Sequence, residues 1–221
     1  MSVVIDYLPQ LLKGLIITLE VSIGAFICGL LISIICIFIL HFLPKPFGKI
    51  VTFYVLLIRG LPELLVLFVV YYGGTVLLTN FFQDYTEFNA LFAGIFALSL
   101  VGGAYFIEIL RAAIQTIPLG QKEASVSLGL NAGKTFYHVI MPQMFSFALP
   151  GISNQWLVIL KDSALVSFIS LNDLMFNGSQ GANTTGKAMP FYITVALLYI
   201  LVTAVSMGLI SMTNRRFRYD K

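Results

Sequence analysis

The sequence predicts an all-α integral membrane protein with five transmembrane helices. Three observations carry that prediction: 58% of the 221 residues are apolar, only 10% are charged, and mean hydropathy is +0.93. An ordinary soluble domain carries about 25% charged residues, so a water-soluble globular fold is excluded. A hydrocarbon core about 30 Å thick takes about 20 helical residues to cross. One membrane domain over residues 1–221, with about five spans and their connections, accounts for the length.

The spans are read in order. Within a first span at about 11–40, Leu15 to Leu40 is apolar apart from Glu20 and a few small polar residues, and the N-terminal MSVVIDYLPQLLK lacks the basic region and cleavage site of a signal peptide. The first run is therefore expected to be a retained span. Cys28 and Cys36 lie about 12 Å apart along it, too far for a disulfide, and are expected to be buried free thiols. After the basic turn HFLPKPFGK, residues 50–79 form a second span interrupted by Arg59-Gly60-Leu61-Pro62-Glu63. Leu64 to Leu78 is too short to cross alone, which places the interruption at membrane depth. A polar loop, Asn80 to Asn89, leads to a third span at 90–112. Pro118 to Pro142 is a mixed polar loop with its own helix at about 119–131. The fourth span fits 150–171 better than Phe145 to Leu160, because Ala164 to Leu171 continues the apolar pattern. Asn172 to Lys187 is read as a polar loop, and 188–213 as the fifth span before a basic tail.

Basic residues orient such a chain, because cytoplasmic loops carry the excess of Lys and Arg. Lys45, Lys49, Arg111, Lys122, Lys134, Arg215, Arg216, Arg218 and Lys221 fall on one side, against Lys13 and Lys187 on the other. The C-terminus and the Pro118 to Pro142 loop are thus expected in the cytoplasm, with the N-terminus outside. No basic tract is interleaved with aromatics, so nucleic acid is not an expected partner.

Glu123-Ala124-Ser125, then Gly129, then Val139-Ile140-Met141-Pro142 follow the spacing Glu-Ala-Ala, three residues, Gly, nine residues, Ile-x-Leu-Pro. This resembles the permease subunits of ATP-binding-cassette importers. Arg59 to Val66, Gly103-Ala104-Tyr105, Ala148 to Gly151 and Asn154 to Val166 extend the likeness to the polar amino acid importers, nearest the arginine and histidine types. The resemblance implies the type I importer permease fold, with Glu123, Ala124, Ser125 and Gly129 in a coupling helix that docks on an ATPase subunit. It also implies a second permease subunit, identical or homologous, an extracytoplasmic solute-binding protein, and a setting among the lipids of a bacterial inner membrane. No cofactor is expected on this chain; ATP and Mg belong to the partner ATPase, and the chain is not itself an enzyme. Independently of the family, a short helix of small residues permits close approach of a partner, and Gly129 allows a backbone turn that a side chain would hinder.

Charges at membrane depth are costly, about 2.5 to 3.5 kcal/mol on insertion scales, and mark pathways or internal pairs. Arg59, Glu63, Lys161 and Asp162 are such charges. Pro62 is expected to free the Ile58 carbonyl, and Pro150-Gly151 to loosen the fourth span; broken helices point to a midplane transport site. Glu63 and Asp162 are read as the negative potential for a cationic amino acid. Ser163, Gln155 and the backbone near Leu61 would orient its α-amino and α-carboxyl groups. The competing reading pairs Arg59 with Glu63, and Lys161 with another chain. Glu108 and Arg111, three apart, read as a local pair.

Other functions fit less well. An intramembrane enzyme lacks its motifs, there being no HExxH and no GxSxG, and the segment Gly181 to Ala188 imitates a phosphate loop without its final Ser/Thr. An ion-coupled secondary carrier leaves the coupling signature unexplained. The expectation is an alternating-access importer permease for a basic amino acid, arginine first, with glutamine, histidine or lysine as alternatives.

Overall fold

Backbone groups cannot stay unpaired in hydrocarbon, so an apolar chain of this kind must close its hydrogen bonds within helices. The computed structural model describes the backbone of residues 2–216 and the side chains of residues 4–212, and its regular structure is helical throughout. Arg218 and Lys221, counted above for topology, lie outside the described residues. The helices are α1 (Ser2–Phe42), α2 (Lys45–Arg59), α3 (Glu63–Phe82), α4 (Ala90–Thr116), α5 (Leu119–Ser127), α6 (Ala132–Thr135), α7 (Met141–Asp162), α8 (Leu174–Thr185) and α9 (Ala188–Arg216). A π-helical turn at Phe136–Ile140 precedes α7, and a 3₁₀ segment at Ser163–Ile169 follows it.

The helices form five alternating traverses. α1 and α4 run parallel: Gly24 meets Ile95, and Gly29 meets the Ser99 carbonyl and the Gly103 amide. Small residues let these two backbones approach closely, which is how helices associate without a hydrophobic driving force. α2 and α3 together make the return, and α3 pairs antiparallel with the start of α4 through Gly74 against Phe88 and Thr75 Oγ1 accepting from the Phe88 amide at 3.1 Å. α7 runs back along α4, with Gly151 against Ile109 and Gly102 against Ile159. The 3₁₀ segment continues that path until Val166 reaches Gly94. α9 follows α1, its Phe191 ring 5.3 Å from Tyr7.

Several expectations need correction. The second span is two separate helices. Gly60 donates to the Leu56 and Leu57 carbonyls, Leu61 donates to Ile58 at 3.3 Å, and Pro62 opens α3. The Ile58 carbonyl is therefore taken by a tighter turn, not freed. α3 also continues past Leu78 to Phe82, ending where Gln83 turns left-handed (φ 55°). At 20 residues it is long and apolar enough to cross by itself, so length alone does not force the break to mid-depth. Val4–Phe42, Ala90–Thr116 and Ala188–Met212 also meet that standard; α7 does not. Its helix covers 141–162 rather than 150–171, running unbroken through Pro150 and tightening after Asp162. Cys28 is exposed rather than buried, and both cysteines are free thiols.

The expected polar loop at Asn172 to Lys187 contains helix α8. Asp173 caps it, its two carboxylate oxygens accepting from the Met175 and Phe176 amides at 3.2 and 2.9 Å. Asn177 then ties α8 to α1 through Gln10 and to the Asn172 carbonyl. A Cβ on Gly14 would stand 2.7 Å from the Asp173 carbonyl oxygen and 2.5 Å from Asn177 Nδ2. Backbone cannot yield as a flexible side chain does. Gly14→Ala is therefore expected to cost about 1–3 kcal/mol, seen as a lower Tm in detergent.

Burial without a cation partner lifts the Asp173 carboxyl to about 6, its cap hydrogen bonds offsetting only part of that rise. The folded state thus holds a proton that the unfolded chain has already lost. Stability from this group is full below about pH 4 and is lost as pH rises to about 6. Asp173→Asn keeps an acceptor for the cap but has no charge to bury. The variant is expected to gain Tm relative to the parent between pH 4 and pH 7.

Candidate functional site

The charges at the α2–α3 break and on α4 form one cluster. Arg59 ends α2, and its Nη1 lies 3.6 Å from Glu108 Oε2 on α4. Arg111 Nη1 lies 2.9 Å from Glu108 Oε1, completing an Arg–Glu–Arg bridge, and the Arg59 guanidinium sits over the Tyr105 ring at 5.3 Å. Tyr54 fastens the same helix pair by donating to the Leu100 carbonyl at 2.6 Å. The pairing of Arg59 with Glu63 is not formed: the partner is Glu108, which bridges two cations instead of one.

Glu63 is thereby left to other company. It lies in the first turn of α3, where the helix dipole favours a carboxylate. It interacts coulombically with Asp162, at the end of α7, as does Lys161 with opposite sign. Neither acid is in an ion pair among the described residues. Two acids from helices far apart in sequence, at the start of α3 and the end of α7, thus lie near enough to repel each other.

The remaining expected site residues divide. Gln155 is buried on α7, seven residues before Asp162 and so on the same face. Ser163 is fully buried, and its hydroxyl donates to the Leu160 carbonyl at 2.7 Å. Leu61 is exposed at the helix break. Glu108 pairs with Arg111 as their i,i+3 spacing predicts, and what sequence reading missed is Arg59 as its second partner, since nothing in the chain marks that contact.

At the far end of α4 the chain forms α5. Glu123 and Ala124 are exposed, whereas Ser125 is buried and faces the bundle. Its Oγ donates to the Lys122 carbonyl at 2.7 Å and lies 3.0 Å from Thr135 Oγ1. The expected helix over 119–131 is shorter, ending at Ser127. The Leu130 amide reaches back to the Ser125 carbonyl at 3.1 Å and Gly129 to Val126 at 2.9 Å, with Gly129 at φ +75°. That bond pair is a Schellman stop, which needs a left-handed residue after the cap.

The bundle grips this end through aromatic packing. Phe136, buried in the π-turn, has its ring 4.6 Å from His41 and 5.2 Å from Phe42 at the end of α1. Phe136 also joins Leu110 and Ala113 of α4, Ile117 just after it, and Met144 of α7 in one apolar cluster. A push on α5 therefore reaches three traverses at once, while Leu119, Val126 and Leu128 stay largely exposed on it. Exposed apolar side chains grouped on one small element mark a surface for a partner.

A charge cluster at broken membrane helices, mechanically joined to an end helix that offers its outer face, defines a membrane transport component. The chain belongs to the family of binding-protein-dependent transport system inner membrane components, which matches residues 29–219. It is 40% identical over 217 residues to the arginine ABC transporter permease protein ArtQ of Haemophilus influenzae, covering 98% of this chain and 97% of that one. It is 33% identical to the histidine/lysine/arginine/ornithine permease HisQ of Salmonella typhimurium, with 94% and 92% covered. Among solved structures, an amino acid ABC transporter crystallised with histidines matches with TM-score 0.86 and 32% identity over 96% of each chain. The inward-facing methionine transporter MetNI matches with TM-score 0.78 at 16% identity, over 97% of this chain and 99% of that one, which speaks for the fold alone.

Proposed function

We propose that this chain is the permease subunit of an ATP-driven, binding-protein-dependent importer that carries basic amino acids, arginine first, by alternating access. The observation that carries the cargo class is the mutually repelling pair Glu63 and Asp162. Two acids that repel each other, neither of them held in an ion pair among the described residues and Asp162 only partly offset by the Lys161 charge, leave a site suited to a guanidinium or ammonium group. Gln155, on the Asp162 face of α7, and the backbone at Leu61 would orient the α-amino and α-carboxyl groups, with Ser163 holding the helix turn beneath them. The relatives named for arginine and for histidine, lysine, arginine and ornithine support the same cargo class.

In this reading α5 presents Glu123 and Ala124 to an ATPase subunit that binds the ATP and Mg, while Ser125 and Gly129 hold the helix in place. A second permease, identical or homologous, packs about a two-fold axis. A solute-binding protein delivers cargo from outside, with the C-terminus cytoplasmic in a bacterial inner membrane. A second reading, glutamine as cargo, draws on the uncharged Gln155 in the site.

Competition separates the two. Radiolabelled arginine uptake in proteoliposomes is expected to be displaced by lysine and histidine, and weakly by glutamine and glutamate. Asp162→Asn removes a charge-assisted contact of about 1.5–3 kcal/mol, lowering selectivity for arginine over glutamine about tenfold or more. Selectivity unchanged by that substitution counts against the pocket role.

A further inference from the structure

Where α1 ends and α2 begins, Leu40, Leu43, Lys45, Lys49, Phe53 and Leu56 line an open groove of about 620 Å³ that neither the transport cluster nor α5 uses. Its two ends differ in chemistry. Lys45 and Lys49, one turn apart, are both exposed, and neither is in an ion pair among the described residues. The first turn of α2 carries no acid and no side-chain cap, so the positive end of the helix dipole adds to the two ammonium groups. Further along α2 the lining becomes apolar, with Phe53 at 63% and Leu56 at 73% exposure.

We propose that this groove is a binding site for one anionic phospholipid, its phosphate held between Lys45 and Lys49 and an acyl chain laid along Leu40, Phe53 and Leu56. Charge complementarity selects the occupant. A free anion would leave the apolar length uncovered, and a neutral lipid would leave both ammonium groups unpaired. Basic grooves between membrane helices at the interface have this affinity for acidic headgroups. The groove lies at the end of the bundle that carries α5, since His41 adjoins it in sequence and its ring packs 4.6 Å from Phe136, just after α6. Assignment to the cytoplasmic leaflet rests on the proposed orientation; binding does not.

The test uses the purified transporter complex in nanodiscs of phosphatidylcholine with a minor fraction of photoactivatable phosphatidylglycerol, without nucleotide or amino acid. Wild-type protein is expected to crosslink phosphatidylglycerol within α2 several-fold more than a phosphatidylcholine probe of the same acyl chain. Each lysine near a membrane surface is worth up to about fivefold, so Lys45→Gln with Lys49→Gln should lose that several-fold preference and label the two lipids equally. Lys45→Arg with Lys49→Arg should retain crosslinking, showing that charge and not folding is read. Equal labelling by the two lipids, labelling unchanged in the double glutamine variant, or competition by millimolar inorganic phosphate overturns the proposal. Because no transport is measured, failure here is distinguishable from failure of the import function.

Discussion

Glu108→Gln is expected to reduce arginine uptake about tenfold while leaving membrane insertion intact. Glu108 is the single acid between Arg59 and Arg111, and losing its charge leaves two guanidinium groups beside each other. Breaking a fully buried pair costs about 3–5 kcal/mol. The side chains here are 37–42% exposed, which lowers the figure to about 1–2 kcal/mol. That suffices for a tenfold loss, because the repulsion acts where α2 meets α4 and so displaces the break that positions Glu63. A cycle of Arg59→Gln, Glu108→Gln and the double variant isolates the effect. The double variant should be more active than Glu108→Gln alone. Strictly additive losses would show that the bridge holds nothing.

Gly129→Val is expected to uncouple ATP hydrolysis from transport. Left-handed backbone costs an ordinary L residue about 1–2 kcal/mol, and a β-branched residue is a clear outlier there. A Cβ at this position would meet nothing within 4 Å, so the effect comes from the backbone and not from a clash. Relieving the strain breaks the bond pair that ends α5, loosening the Ser125 contact to Thr135 that ties the helix to the π-turn. Gly129→Asn is the control, since asparagine tolerates this conformation. It should keep most coupling, and equal loss in both variants would contradict the argument.

Much of this is legible in the chain because apolar runs and helix breakers act locally. Gly60 and Pro62 announce the α2–α3 break, and Glu123 to Gly129 announces α5. Other features depend on tertiary partners. α8 looks like a loop because Asn177, Gly178, Gly181 and Ala182 are small or polar, yet they make a helix by packing under Phe191 and Val195. Asp173 before Leu174 was the available signal, an acid at the N-cap position. The end of α7 is misplaced for a related reason: Ala164 to Ile169 is apolar enough for a helix, but the traverse tightens to 3₁₀ there. The Glu108 bridge spans 49 residues of sequence and three helices, beyond the reach of spacing rules.

The central claim is that this chain moves amino acids with energy from a separate ATPase. Proteoliposomes holding the complex assembled from this chain, its co-purified ATPase and its solute-binding protein test it directly. Uptake of radiolabelled arginine should require Mg-ATP on the side bearing α5 and should be unaffected by collapsing ion gradients. Uptake driven by an ion gradient in vesicles without nucleotide would contradict it.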